Sequence, residues 1–295
     1  MTNKPRLRPL GETLGTEVLG LDLSKPLDDV QSAWITEAFA AHPVLVFRDQ
    51  DLGAADIAAF GRHFGTPREH VLIKYRHAEH PDVSWLTNVD AAGNVDWFGV
   101  KRATEWHTDS TFENELPLLA ILHAKEVPSE KGGTMFVDMG AAYDSLPDAK
   151  KQLLSGLVGL HRHGAGPAGE QLYGDDKGKV EEKYLHNDTR WPAVTRHPVT
   201  NRPTLFVNPM HTLGFVGMTK EEAWPLIEEL TAHATRDEAV YYHNWRVGDV
   251  LMWDERATMS RCRRLSPGGP PHHAAHHRLP GNAACLIDAV RRDVS

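Results

Sequence analysis

Apolar residues in the first quarter of the chain occur first at helical spacing and then in one short continuous run. Residues 28–41 carry apolar side chains near every third or fourth position, which predicts a helix that ends before Pro43. Residues 44–47 are all apolar and predict a buried strand. Residues 52–64 predict a second amphipathic helix, closed by Gly65 and Pro67.

Beyond residue 80 the pattern changes to short apolar runs separated by turns. The clearest predicted strands are 83–89, 118–127, 133–138, 204–208 and 249–253, and two predicted helices are about 140–155 and 219–234. No internal repeat marks a second domain, and no glycine-rich phosphate loop follows a strand. We therefore predict one domain over residues 1–295, mostly β with packing helices (α+β), around a double-stranded β-helix (jelly-roll, cupin-like) core.

Residues 161–183 differ from the rest of the chain. They are rich in glycine, charged and polar residues and follow neither a helical nor a strand period. A long polar segment inside a compact domain is usually either disordered or a functional lid. We interpret this segment as an insert that forms a lid over the mouth of the barrel.

The composition is that of an ordinary globular protein, with 41% hydrophobic and 24% charged residues among 295. A net charge of -8 makes the chain a poor candidate for binding nucleic acid, although Arg261, Arg263 and Arg264 form a short basic cluster. Two cysteines, Cys262 and Cys285, are too few for a disulfide framework. No apolar run near the N-terminus is long enough for a signal peptide or a membrane span. We expect a cytoplasmic protein with no nucleic-acid or membrane partner.

The strongest chemical signal is the stretch 106–112, which contains His107, Thr108 and Asp109 between Trp106 and Phe112. In an extended segment, side chains two residues apart point to the same side, so His107 and Asp109 can approach one metal ion together. An imidazole and a carboxylate are two of the three ligands in the facial triad of non-haem Fe(II) oxygenases. A bare His-x-Asp is more often a surface histidine beside a solvated aspartate, so its context decides.

Two further motifs follow in a set order. Residues 131–134 are Lys-Gly-Gly-Thr, and residues 253–259 are Trp-Asp-Glu-Arg-Ala-Thr-Met. With residues 106–112, and with His197-Pro198 before the strand that leads to Asn208, this series resembles the taurine dioxygenase and 2,4-dichlorophenoxyacetate dioxygenase family of Fe(II)- and 2-oxoglutarate-dependent oxygenases. The resemblance extends from about residue 10 to at least residue 259.

The resemblance implies a role for each matching position. His107 and Asp109 would be the first two Fe(II) ligands, and Thr134 would hydrogen-bond the carboxylate of 2-oxoglutarate in a pocket lined by Trp253. The cofactor and co-substrates implied are Fe(II), 2-oxoglutarate and O2. Further contacts to substrate are implied for two residues after the second predicted helix; they are His70 and Tyr75. For His70, a polar loop residue with no such role is an equal alternative.

Three positions depart from the family pattern. The family has its third iron ligand, a histidine, directly after the stretch that ends at Met259, and this chain has Ser260. A neutral hydroxyl is a poor replacement for imidazole, so metal affinity should fall. The family's arginine for 2-oxoglutarate is expected at the position of Pro271, and a second arginine, for an anionic substrate, at the position of Ala275.

The region around these two positions has an unusual sequence, Pro-His-His-Ala-Ala-His-His-Arg over residues 271–278. Codons compatible with these residues, read one base to the right, give arginine at both 271 and 275, followed by a pair of threonines. We therefore hypothesise a local frameshift over about residues 265–281. Ser260 lies outside this window and requires a separate change.

A rival interpretation treats the same histidines as metal ligands. His272 with His276, and His273 with His277, have the i, i+4 spacing of ligands on one helix face. Such a site could replace the lost ligand or bind zinc separately. No acidic residue or cysteine joins the four histidines, which argues against it.

The sequence thus predicts an oxygenase that oxidises a small organic, anionic substrate with release of succinate and CO2. The alternative is a catalytically silent member of the same fold that binds a small molecule, because the third ligand and the arginine are missing. A cupin-like metal hydrolase is a third possibility, but it explains neither Thr134 nor Trp253. Sulfonates, sulfate esters and aryloxyalkanoates are all compatible substrates, and a homodimer or homotetramer is compatible with the family.

Overall fold

The computed structural model describes residues 4–69, 73–87, 96, 103–127, 133–173 and 180–262, together with the backbone of one strand, 284–291. This part of the chain mixes helices with several sheets. The strands before residue 140 are β1 (Arg6–Pro9), β2 (Thr16–Leu19), β3 (Val44–Phe47), β4 (Thr66–Pro67), β5 (Ser84–Leu86), β6 (Leu119–Ala124) and β7 (Gly133–Asp138). The later strands are β8 (Val158–His161), β9 (Thr189–Pro192), β10 (Val194–Arg196), β11 (Pro203–Leu205), β12 (Thr212–Phe215), β13 (Tyr241–Asn244), β14 (Val250–Asp254), β15 (Thr258–Cys262) and β16 (Ala284–Arg291).

The helices are α1 (Asp29–Ala41), α2 (Ala54–Arg62), α3 (Met139–Asp144), α4 (Asp148–Leu154), α5 (Pro167–Tyr173), α6 (Lys183–His186) and α7 (Lys220–Ala234). Short 3-10 helices occupy Ile73–Tyr75 and Asp237–Ala239. Helix α1 begins with a capping box, in which Asp28 accepts from the backbone N–H of Gln31 at 2.8 Å and the Gln31 side chain accepts in return. None of the helices in the described ranges is both long and apolar enough to span a membrane.

The large sheet has eight strands. Seven of them lie in the order β1-β2-β3-β14-β6-β16-β4, and β5 pairs with β16. Among the described pairings, β2 with β3 is parallel and the rest are antiparallel. Three smaller sheets have the orders β13-β7-β15, β12-β8-β9 and β10-β11.

Both faces of the large sheet are covered, which explains why all four residues of β3 are buried. Leu45 and Phe47 belong to the apolar cluster formed with α1 and α2, whereas Val44 and Val46 belong to a second cluster on the opposite face. The second cluster includes Phe136 from β7, so the sheet β13-β7-β15 packs against the large sheet. The site described below lies at this packed interface.

Most predicted elements are confirmed, but several differ in extent from the prediction, and the strand predicted at 118–127 is Leu119–Ala124. The predicted helix 140–155 is two helices, because Pro147 adopts an extended conformation (φ -60°, ψ 147°) and begins α4. The predicted strand 204–208 is the shorter β11, Pro203–Leu205. Of the predicted strand 83–89, residues 84–86 form β5, while residues 88 and 89 lie outside the described part.

The polar segment 161–183 contains more regular structure than its composition indicated. Its first residue ends β8, and helix α5 spans Pro167–Tyr173. His163, Gly164 and Ala165 are buried, so this part is packed against the body of the protein. Residues 174–179 lie outside the described part, and closure of the segment over a site stays a prediction.

Candidate metal centre and cofactor pocket

The segment that carries His107 is fixed by direct pairing with β15. The backbone N–H of His107 donates to the carbonyl of Ser260 at 3.0 Å, and the N–H of Ser260 donates to the carbonyl of His107 at 2.8 Å. Two residues that exchange hydrogen bonds in this way lie directly opposite each other, and their side chains point to the same side. The backbone therefore places position 260 beside His107.

The His107 ring presents its Nε2 atom to Asp109. Nδ1 lies 2.7 Å from the carbonyl oxygen of Glu105, which can only accept, so Nδ1 carries the hydrogen. In the neutral ring Nε2 then carries a lone pair, and this atom lies 3.4 Å from Oδ1 of Asp109. Two acceptor atoms at this distance are complementary to a cation between them. Imidazole and carboxylate are both ligand types that Fe(II) accepts in non-haem oxygenases.

Asp109 is oriented by contacts from distant parts of the chain. Its backbone N–H donates to Oε2 of Glu255 at 3.0 Å, and the hydroxyl of Thr108 donates to the carbonyl of Thr258 at 2.9 Å. Ser110 then adopts a left-handed conformation with φ 55°. The chain is extended at His107, but Asp109 already begins a turn. The convergence expected from an extended segment is present, although a turn rather than a strand produces it.

The third position of the candidate centre holds no conventional ligand. Ser260 is 7% exposed and faces the same side as His107. Across the residues whose placement is described, no three His, Cys, Asp or Glu side chains are grouped so as to hold a metal ion. His107 and Asp109 thus fit two positions of a three-ligand centre, and the side chain at 260 does not supply the third.

Thr134 and Trp253 both place polar groups at the interface between the two sheets. Thr134 and Phe136 lie two residues apart on β7, and Ser260 pairs with Phe136, so the three side chains share one face. The Phe136 ring packs on Trp253 with the centroids 5.6 Å apart. Nε1 of Trp253 is buried and has no hydrogen-bond partner among the described residues. An unpaired buried donor fits an acceptor such as a carboxylate.

Of the other predicted site residues, one lies in the described part of the chain and three lie outside it. Tyr75 is buried, 4% exposed, and its hydroxyl donates to Oδ2 of Asp96 at 2.6 Å. A contact between Tyr75 and substrate stays a prediction. His70, Pro271 and Ala275 lie outside the described residues, as do the histidines at 272, 273, 276 and 277.

A cluster of buried histidines near the candidate centre was not singled out in the sequence. The His163 and His211 rings stack at 5.6 Å, and Phe112 packs edge-on against both at 5.0 Å. Burial lowers the pKa of His211 well below its ordinary value, and positive charge on His163 or His107 would lower it further. The N–H of Gly164 donates to Nδ1 of His211 at 3.0 Å, which assigns the hydrogen of the neutral ring to Nε2. Phe112 belongs to the predicted motif at 106–112, but nothing in the spacing of residues 163 and 211 indicates that they meet.

Comparison with known proteins identifies relatives over nearly the whole chain. A family model described as "Taurine catabolism dioxygenase TauD, TfdA family" matches residues 6–273. The α-ketoglutarate-dependent 2,4-dichlorophenoxyacetate dioxygenase of Cupriavidus pinatubonensis is 34% identical over 87% of this chain and 91% of its own. An alkylsulfatase of Acinetobacter baylyi is 31% identical over 87% of this chain and 79% of its own.

Two solved structures have similar folds. One is that of AAD-2 in complex with Mn(II) and N-oxalylglycine, with a TM-score of 0.82, 27% identity, and coverage of 99% of this chain and 98% of that one. The other is a taurine dioxygenase from Burkholderia xenovorans, with a TM-score of 0.77, 26% identity, and coverage of 99% and 90%.

The names of the first relative and of a sulfate ester dioxygenase of Pseudomonas putida include dependence on α-ketoglutarate, which is 2-oxoglutarate. The predicted family and enzyme class are therefore confirmed. Fe(II), 2-oxoglutarate and O2 are accordingly the cofactor and co-substrates of the family. The chain belongs to the TauD/TfdA family of 2-oxoglutarate-dependent dioxygenases.

Proposed function

We propose that this chain is an Fe(II)/2-oxoglutarate-dependent dioxygenase of jelly-roll fold that oxidises a small organic anion. The convergence of His107 Nε2 and Asp109 Oδ1 to 3.4 Å, directly beside position 260, carries the proposal. The packing of the sheet β13-β7-β15 against the large sheet supports a jelly-roll core in a single domain over residues 1–295. The lid at 161–183 and the frameshift over 265–281 are parts of the same proposal.

His107 and Asp109 would hold the metal, and their own contacts prepare them for it. The carbonyl of Glu105 keeps the hydrogen of His107 on Nδ1, so that Nε2 is free to coordinate. The carboxylate of Asp109 would offset one positive charge, and Glu255 holds the backbone N–H of Asp109 in place. When bound with 2-oxoglutarate and O2, Fe(II) supplies the oxidant for substrate hydroxylation, with release of succinate and CO2.

Thr134 and Trp253 would bind 2-oxoglutarate as neutral hydrogen-bond donors. Thr134 is 8% exposed and Trp253 is 6% exposed, so little water competes at either donor. Hydrogen bonds to an ionised acceptor are stronger than those between neutral groups, and more so away from water. An arginine at position 271 would add a positively charged donor to the neutral donors Thr134 and Trp253, and Pro271 supplies no such group.

Ser260 favours a second candidate function, a silent binding protein of the same fold. With only His107 and Asp109 as protein ligands, metal affinity should be lower than in a centre with three, by roughly tenfold or more. The pocket at Thr134 and Trp253 would still accept a small carboxylate. In this alternative the chain binds a small molecule but does not oxidise it.

Spectroscopy under anaerobic conditions separates the two functions. We expect Fe(II) plus 2-oxoglutarate to give a weak visible charge-transfer band in the variant Ser260→His, Pro271→Arg, Ala275→Arg. The same band in the unaltered chain supports the oxygenase, whereas its absence there, with its presence in the variant, supports the silent protein. The matched control adds His107→Ala to the triple variant and should abolish the band. A triple variant without a band would show that the site residues are wrongly assigned.

The substrate is proposed to be a small anion, by analogy with relatives named for 2,4-dichlorophenoxyacetate, alkyl sulfates and sulfate esters. Succinate release across a panel of sulfonates, sulfate esters and aryloxyalkanoates, with the triple variant, tests this class. Oxidation confined to uncharged compounds would refute it. A homodimer or homotetramer in the cytoplasm is the proposed state, and light scattering tests the assembly.

A further inference from the structure

Thr134 accepts a hydrogen bond from a residue that no sequence motif connects to it. Nε1 of Trp245 lies 2.9 Å from Oγ1 of Thr134. An indole N–H can only donate, so the Thr134 oxygen is the acceptor in this bond. The hydrogen of the Thr134 hydroxyl must therefore point in another direction. Among the described residues, the Thr134 hydroxyl makes no hydrogen bond other than this one.

The position of the Trp245 ring is set by its neighbours in β13. Trp245 directly follows β13, in which His243 pairs with Thr134, and its ring meets the His243 ring edge-on at 4.6 Å. His243 and Asp249 are both fully buried, and Nε2 of His243 donates to Oδ2 of Asp249 at 3.1 Å. Arg48 forms an ion pair with the same carboxylate oxygen. The His243 ring, against which Trp245 packs, is thus fixed by a buried polar network.

The remaining hydrogen of Thr134 and the indole N–H of Trp253 are two donors at one interface. Thr134 shares its face of β7 with Phe136, and Phe136 contacts the Trp253 ring. Trp253 Nε1 is buried without a partner in the described part of the chain. Two donors at one interface can be satisfied by a single anionic acceptor with several lone pairs, and a carboxylate has this character.

We propose that Trp245 is a positioning residue, which occupies the Thr134 oxygen and so directs the Thr134 hydroxyl as a donor to a carboxylate of the bound dicarboxylate. Without the indole N–H, the Thr134 hydroxyl is free to rotate and the dicarboxylate loses a directed hydrogen bond. This inference rests on the proposed function, because it requires 2-oxoglutarate to bind next to Thr134.

Calorimetric titration with 2-oxoglutarate in the presence of Mn(II) tests the inference. The titration uses the full chain, both unaltered and with Ser260→His and Pro271→Arg. In whichever of these two proteins binds 2-oxoglutarate, we expect Trp245→Phe to weaken that binding roughly five- to tenfold, the value of one hydrogen bond. Thr134→Val should weaken it to a similar extent, and the double variant no further, because both changes remove the same directed bond.

Trp224→Phe is the matched control. Nε1 of Trp224 donates to the carbonyl of Leu213 at 3.1 Å, so this change also removes one indole hydrogen bond, in a different cluster. Its affinity for 2-oxoglutarate should be unchanged. Equal affinity of Trp245→Phe and its parent for 2-oxoglutarate would refute the positioning role of Trp245 and leave the proposed function standing. Effects of Trp245→Phe and Thr134→Val that add in full would do the same. Absence of binding in both backgrounds would instead refute the proposed function, and this inference with it.

Discussion

His161 should make the stability of this protein depend on acid in a way that one substitution removes. Its ring is fully buried in β8 and packs against Phe206 at 5.6 Å. Thr212 Oγ1 lies 3.5 Å from Nδ1, and Nε2 has no partner among the described residues. Burial lowers the pKa of His161 from its ordinary value of 6.5 to about 3.

The sign and size of the effect follow from proton binding in the two states. Between pH 6.5 and about 3 the unfolded chain protonates His161 and the folded chain does not. The stability due to the neutral ring is therefore fully present above about pH 6.5 and is lost as the pH falls toward about 3. At about 1.4 kcal/mol per pH unit, lowering the pH from about 6 to about 4 removes about 2.5 kcal/mol.

Urea denaturation at these two pH values measures the effect. The variant to compare is His161→Phe, which keeps a flat ring of similar size but cannot bind a proton. The unaltered chain should lose about 2.5 kcal/mol more free energy of unfolding than the variant over this interval. His186→Gln, which alters an exposed histidine, is the control and should keep the acid sensitivity of the unaltered chain. If His161→Phe loses as much stability as the unaltered chain, His161 is not kept neutral by burial.

Substitutions at three further positions test contacts in and near the site, each by urea denaturation at neutral pH. Phe136→Ala should cost about 3–5 kcal/mol, since the ring is fully buried between the two sheets, and Phe136→Leu, which keeps most of the volume, should cost clearly less; equal losses would contradict this packing. In the unaltered chain the buried guanidinium of Arg256 lies 2.5 Å from Asp254 Oδ2. Asp254→Asn should cost about 3–5 kcal/mol, because it leaves this guanidinium without its counter-charge. A loss below about 1 kcal/mol would refute this. Gly15→Ala should destabilise by more than about 1 kcal/mol, because φ is +83° and the new Cβ would lie 2.2 Å from the Tyr241 ring; an unchanged free energy of unfolding would contradict it.

Local sequence signals predicted most of the fold. The helix at 28–41 is confirmed because its cap at Asp28 and its apolar spacing are both local features. The single helix at 140–155 was wrong because one proline outweighs the apolar pattern around it; Pro147 cannot take part in the hydrogen bonding of a helix interior. The sheet order could not be predicted, because β14 pairs with β3 and β6 across long stretches of chain.

The candidate centre was predictable where its residues are close in sequence. His107 and Asp109 are two residues apart, and their convergence follows from that spacing together with the turn at Asp109. The groups that orient them are distant, as Glu255 lies 146 residues from Asp109. Trp245, which lies 111 residues from Thr134, could not be connected to it without the pairing of β7 and β13.

Manganese binding, followed by electron paramagnetic resonance, tests most directly whether His107 and Asp109 form a metal centre with its third position at residue 260. The unaltered chain and Ser260→Ala should bind Mn(II) weakly and equally, because the hydroxyl contributes little. Ser260→His should bind roughly tenfold tighter or more, and adding His107→Ala should remove that gain. Equal Mn(II) affinity in Ser260→His and the unaltered chain would contradict the metal centre.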